Sequence, residues 1–152
     1  MAVYSRAAGA IIFIIGLVGC GSSTVSTTVQ FSNPSNTQVT VTIADTATER
    51  SQGLAGTRQL AQDHGLLFVF PSKASHAFWM KGVSYPIDII WLDDSTIVDV
   101  TAQVQPELAA TPETAYQQYL PNQPVNQVLE VPAGFITEQG IMVGQQITIR
   151  TR

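Results

Sequence analysis

Charge is scarce in this chain. Of 152 residues only 12% are Asp, Glu, Lys or Arg, whereas 45% are hydrophobic. Disordered chains combine low hydrophobicity with high charge, so this balance implies one folded domain with a core of its own. Basic residues are the scarcer sign, seven against eleven acidic, for a net charge of −4. No basic run offsets that sign, and a field repelling phosphate excludes DNA and RNA as expected partners. Histidine occurs only at His64 and His76, with no HxH or HExxH spacing, so a tight transition-metal site lacks its ligands. The lone cysteine, Cys20, excludes an internal disulfide. A GxSxG elbow, a P-loop and a dinucleotide fingerprint are all missing, and no cofactor is expected.

What is present begins with a different kind of sequence, "MAVYSRAAGAIIFIIGLVGC". One positive charge, Arg6, precedes an uncharged run from Ala7 to Gly19. A spanning helix needs about 20 apolar residues, so the run is too short and fits the apolar region of a secretory signal peptide. Leu17-Val18-Gly19-Cys20 resembles the bacterial lipobox. That resemblance implies cleavage before Cys20, lipidation of its thiol and acylation of the new amino terminus. Two or more acyl chains give stable anchoring, at about 0.8 kcal/mol per buried methylene. Residue 21 is Gly rather than the Asp that commonly retains such proteins at an inner membrane. The expected location is therefore outside the cytosol, at an outer membrane or cell surface. "GSSTVSTT" after Cys20 is small and polar and reads as a flexible tether. The expected organisation is a lipoprotein signal peptide over 1–19, lipidated Cys and tether over 20–28, and one folded domain over 29–152.

Within the domain, "TQVTVTIA" alternates strictly, placing Val39, Val41 and Ile43 on one strand face. Thr46 followed by Glu49 forms a capping box and predicts a short helix over about Ala47 to Ala55. "GLLFVF" reads as a strand closed by Pro71, and "HAFWM" as another. "IDIIWLD", the turn "DDST" and "TIVDVTAQV" form a hairpin. Residues 105–124 carry four of the eight prolines and predict a long loop. "NQVLEVP" is a further strand, "AGFITEQGI" a short helix stopped by Gly140, and "QQITIR" a final strand. The fold class is therefore mainly β: a compact small barrel or sandwich-like sheet domain with one or two short helices.

In this order, "ATERSQGLAGTRQL", "DHGLLFVF", "FWMKGVSYPIDIIWLDD" and "VLEVPAGFITEQGIMVGQQI" resemble the DUF192 (UPF0127) family of small bacterial and archaeal proteins. The resemblance implies a compact, largely β fold, frequently exported, with no established biochemical activity. The chain departs from the family pattern at Ala55 and Leu66, where Met is usual, and at Gly82-Val83, where Asn-Thr is usual.

Candidate chemistry concentrates in "HAFWMKGVSYPIDIIWLDD". Trp79 and Trp91 could line a groove with Tyr85 and Lys81, or fill core, since aromatics dominate cores in any case. Asp88 lies between isoleucines, and a carboxylate there must be paired or shifted in pKa. Arg50 on the first helix could grip it as a structural ion pair, with Arg58 and Lys81 as other candidates. Alternatively Asp88 serves as general base or polar anchor in a cleft. His64 reads as a solvated turn residue, and His76 begins a strand. Two functions survive. The first is a non-catalytic binding or accessory domain of the cell envelope, holding a glycan, peptide or protein. The second is a small envelope hydrolase or lyase using Asp88 with Lys81 or His76. The first is preferred because no nucleophile–base pair is recognisable.

Overall fold

A computed structural model of the chain describes residues 26–32, 34–108 and 110–152. The expected leader, Cys20 and most of the expected tether lie outside the described residues. Strand β1 spans Thr27–Phe31, so Thr27 and Thr28 belong to the sheet. It pairs antiparallel with β2, Gln38–Ala44, whose buried Val39 and Val41 carry the alternation seen in the sequence. Helix α1, Ala47–Gln52, is closed by the expected capping box: Glu49 N–H donates to Thr46 Oγ1 at 3.2 Å, and Thr46 N–H donates to Glu49 Oε2 at 3.0 Å. It ends three residues earlier than expected. Gly53 takes φ 50 and donates its N–H to Glu49 O, a turn of the backbone that favours a residue without Cβ.

The helix carries the chain over to β3, His64–Ala74, which runs parallel to β2. Pro71 does not close β3. It interrupts the pairing with β6 between Val69 and Ala74, because proline has no N–H to give, and the ladder resumes at Ala74. Strands β4, Ile87–Asp93, and β5, Thr96–Val104, form the expected hairpin, with Asp94 at φ 54 in its turn. The 105–124 stretch holds one short 3-10 turn, Glu113–Ala115. Strand β6, Val125–Pro132, then inserts between β3 and β4, followed by helix α2, Phe135–Gln139, and strand β7, Ile147–Thr151.

The sheet order is β5-β4-β6-β3-β2-β1-β7, and the sheet curls into a half-barrel. Its two edges meet at one end. Ile97 N–H donates to Gln145 O at 2.9 Å and Ile147 N–H to Ser95 O at 2.8 Å, joining the β4–β5 turn to the start of β7. Both faces of the sheet are buried. One packs Phe31, Leu67, Ile90, Leu92 and Leu129 beneath α2 and Ile141. The other packs Leu66, Phe68, Ile89, Trp91 and Val128 beneath Leu54, Met80 and Val83. Hence β4 is buried continuously from Ile87 to Leu92 and is apolar there except at Asp88, as a strand buried on two sides should be.

One element differs from expectation. "HAFWM" is not a strand: it crosses over the sheet and makes a single bridge, Phe78 to Tyr119. Its alternation is real, with Met80 buried and Trp79 51% exposed, but it reflects one side lying on the sheet rather than membership in it.

Candidate functional site

Where α1 ends, the chain leaves a gap between itself and the crossing segment 76–83. That gap is a cavity of about 330 Å³, lined by residues 50–55, Phe68, Phe70, 76–79, Lys81, Val83 and Glu130. Its walls are aromatic and interlocked. Phe78 meets Phe68 edge-on with ring centres 4.9 Å apart, and meets Trp91 edge-on at 5.4 Å. Phe70 stacks on the His76 ring at 3.6 Å. His76 Nε2 lies 3.3 Å from Ser72 O, and since a carbonyl only accepts, Nε2 carries the proton. The small residues that leave the space open are also in contact. Gly82 takes φ 72, and a Cβ there would lie 3.0 Å from Ala55 Cβ. Gly56 N–H donates to Gly82 O at 3.0 Å, holding the two walls together. Ala55 and Gly82, two of the departures from the family pattern, thus face each other beside the cavity.

The acid in this site is Glu130, a residue the sequence reading passed over. It is 6% exposed and pairs across the sheet with Leu66 of β3 and Ile89 of β4, so its immediate neighbours on both sides are aliphatic. Its Oε2 is buried and has no hydrogen-bond partner among the described residues. Burial alone pushes its carboxyl up from 4.5 to about 8, because a carboxylate there would lose water and gain nothing in exchange. The signal was available: "NQVLEVP" encloses one acid among aliphatic residues, as "IDIIWLD" does.

Arg50 supplies positive charge to the wall. Its Nη1 donates to Asp45 O and, at 2.9 Å, to Val69 O, and its guanidinium lies 5.2 Å from the Phe70 ring centre. Among the described residues no carboxylate lies within ion-pair distance of it. Lys81, by contrast, is neutralised by Glu113 at 2.8 Å, an attachment that raises the lysine pKa chiefly through the hydrogen bond.

The expected Arg50–Asp88 pair does not form. Asp88 projects to the other face of β4, is fully buried, and accepts from two backbone donors, Gln103 N at 2.8 Å and Ile136 N at 2.9 Å. Those bonds solve the burial problem without a cation. One pins the bulge where β5 slips register against β4 and Gln103 takes φ 57. The other ties down the first turn of α2. Asp88 therefore shares no site with Lys81 or His76.

The expected groove also divides. Trp79 and Lys81 line the cavity, whereas Trp91 is fully buried core, its Nε1 donating to Thr101 Oγ1 at 2.9 Å. Tyr85 is buried too. Its hydroxyl lies 2.6 Å from Thr57 Oγ1, which itself donates to Leu54 O at 2.6 Å, so the phenol is the donor. Its pKa is raised, chiefly by burial and further by the nearby Glu130. His64 is exposed and bonded to Asp63 at 2.7 Å. No group of three His, Cys, Asp or Glu suited to a metal ion occurs among the described residues, and no described helix is long and apolar enough to cross a membrane.

Fold and cavity together define a class: a small curled-sheet domain with an aromatic-walled cavity over one buried acid. The chain belongs to the DUF192 family, described as "Uncharacterized ACR", whose model matches residues 28–149. No curated protein matches it significantly. Two solved structures share the fold. One, from Sinorhizobium meliloti 1021 and described as a proposed transcription regulator, is 29% identical with a TM-score of 0.71, covering 81% of this chain and 92% of its own. The other, a protein of unknown function from Novosphingobium aromaticivorans DSM 12444, is 22% identical with a TM-score of 0.73, covering 97% and 99%.

Proposed function

We propose that this chain is an exported lipoprotein, anchored to a bacterial membrane through lipid on Cys20, whose half-barrel binds a small envelope ligand in the cavity beside α1. Glu130 carries this reading. A buried carboxyl with an unpartnered oxygen costs stability in the free domain, and an arriving polar group would offset that cost. The volume suits a compact ligand or the end of a glycan or peptide, at the small end of the ~300–1,000 Å³ typical of such sites. Trp79, half exposed on the wall, offers a face for stacking. A regulator role bound to nucleic acid, as the Sinorhizobium relative's description would suggest, is disfavoured by the net charge of −4.

The hydrolase or lyase alternative moves from Asp88 to Glu130, an acid still protonated near neutral pH. It stays second because the cavity pairs no nucleophile with a base.

Two measurements test the proposal. Mass spectrometry of the protein from its native membrane should find a diacyl- or triacyl-modified Cys20 at the amino terminus. An intact leader would remove the anchor. Native mass spectrometry of the domain incubated with an envelope small-molecule extract should show a bound mass that Trp79→Ala loses while staying folded; equal retention by the variant would remove the cavity.

A further inference from the structure

We propose that the cavity takes a compact zwitterion, its ammonium group seated against Glu130 and its anionic group on the Arg50 guanidinium. This deepens the binding reading above and rests on it. Two groups in the cavity wall carry opposite and uncompensated requirements. Glu130 is 6% exposed, and among the described residues no donor reaches its Oε2. Arg50 spends both of its hydrogen bonds from Nη1, leaving Nη2 and Nε without a partner among the described residues. Lys81, the other cation in the wall, is already held by Glu113. A ligand carrying only positive charge would satisfy Glu130 and be repelled by Arg50, and one carrying only negative charge would do the reverse. A zwitterion satisfies both. The walls agree with an ammonium directed inward, because aromatic rings such as those of Phe78 and Trp79 in the lining attract cations.

The acid and the guanidinium do not serve each other. The pKa of Glu130 is raised by burial, and Arg50 contributes nothing to lower it. An arriving ammonium would do what Arg50 does not: it would draw the proton off Glu130 and leave an ion pair. Binding then releases a proton to solvent, and affinity must rise with pH until Glu130 is ionised in the free domain. The charged and titratable groups facing the cavity are Arg50 from α1, His76 and Lys81 from the crossing segment, and Glu130 itself. Tyr85 lies close enough for Glu130 to shift it. The facing residues of β3 and β4, Leu66 and Ile89, are apolar.

A matched series separates the contributions: 6-aminohexanoate, hexylamine, hexanoate and 1-hexanol, titrated by calorimetry into the intact domain. We expect 6-aminohexanoate to bind at least about tenfold more tightly than either singly charged analogue. Glu130→Gln should bring it level with hexanoate, and Arg50→Gln level with hexylamine. In the parent domain, affinity should rise about tenfold from pH 7 to pH 9, with close to one proton released at pH 7, as a carboxyl near 8 requires. The same rise in a His76→Gln background would place the titration on Glu130. A flat pH profile, or a zwitterion that binds no better than hexylamine and hexanoate, overturns the proposal. If 1-hexanol binds as tightly as the zwitterion, the ligand class is wrong while binding in the cavity stands. If none of the four binds, the zwitterion is again wrong, and the envelope-extract experiment alone decides whether the cavity binds anything.

Discussion

Replacing Glu130 by Gln should stabilise this domain at alkaline pH and leave it unchanged in acid. In the unfolded chain the carboxyl loses its proton near 4.5, whereas in the fold it holds the proton to about 8. The folded state therefore binds more protons between those values, and stability falls as pH rises through the window. The stabilising contribution of proton retention is fully present below 4.5 and gone above about 8. At about 1.4 kcal/mol per pH unit, the whole interval amounts to at most about 5 kcal/mol at pH 9. Gln keeps the shape and never ionises, so the difference between the two proteins isolates this one group. Urea unfolding at pH 4, 7 and 9 should show curves that nearly coincide at pH 4 and separate progressively, with Gln the more stable. In thermal melts the separation at pH 9 should reach about 15 °C for a domain of this size. Equal midpoints at pH 9, or a less stable Gln variant there, would refute a desolvated acid at this position.

Other substitutions follow from the same packing. Asp88→Ala strips the acceptor from two buried backbone N–H groups and should cost about 3–5 kcal/mol in urea unfolding, with increased amide exchange at Gln103 and Ile136; a loss under 1 kcal/mol would contradict the clamp. Gly65→Ala places a Cβ 2.8 Å from Glu130 O and 3.0 Å from Leu129 Cδ1, so the β3–β6 ladder must shift, and a midpoint unchanged from the parent would contradict that contact. Thr101→Val leaves the Trp91 indole N–H buried and unpaired, which should cost about 1–3 kcal/mol by the same assay and move the tryptophan emission. No change in either would place Trp91 in a wetter setting than its burial implies.

Local features of this fold were legible in the sequence because local forces set them. The capping box of α1, the alternation in β2 and the β4–β5 turn each lie within a few residues, and each appears where it was expected. What escaped depends on distant pairing. Pro71 looked terminal because its missing N–H breaks a ladder, yet β3 resumes at Ala74 against Val125, a partner 51 positions away. Asp88 was rightly singled out as needing an explanation. Its partners are backbone donors 15 and 48 residues downstream, and nothing in the side-chain inventory announces a backbone N–H. Arg50 was plausible by chemistry and wrong by face, because β4 sends Asp88 toward α2 and away from α1. Glu130 was missed although its sequence setting matches that of Asp88. The difference between a satisfied acid and an orphaned one emerges only once β6 is placed between β3 and β4.

The ionisation of Glu130 itself tests the account most directly. In the domain carrying 13C-labelled glutamate, assigned by comparison with Glu130→Gln, the carboxyl resonance should titrate with a midpoint near 8. A midpoint below 5 would mean a solvated or partnered carboxylate, and the cavity floor described here would not exist.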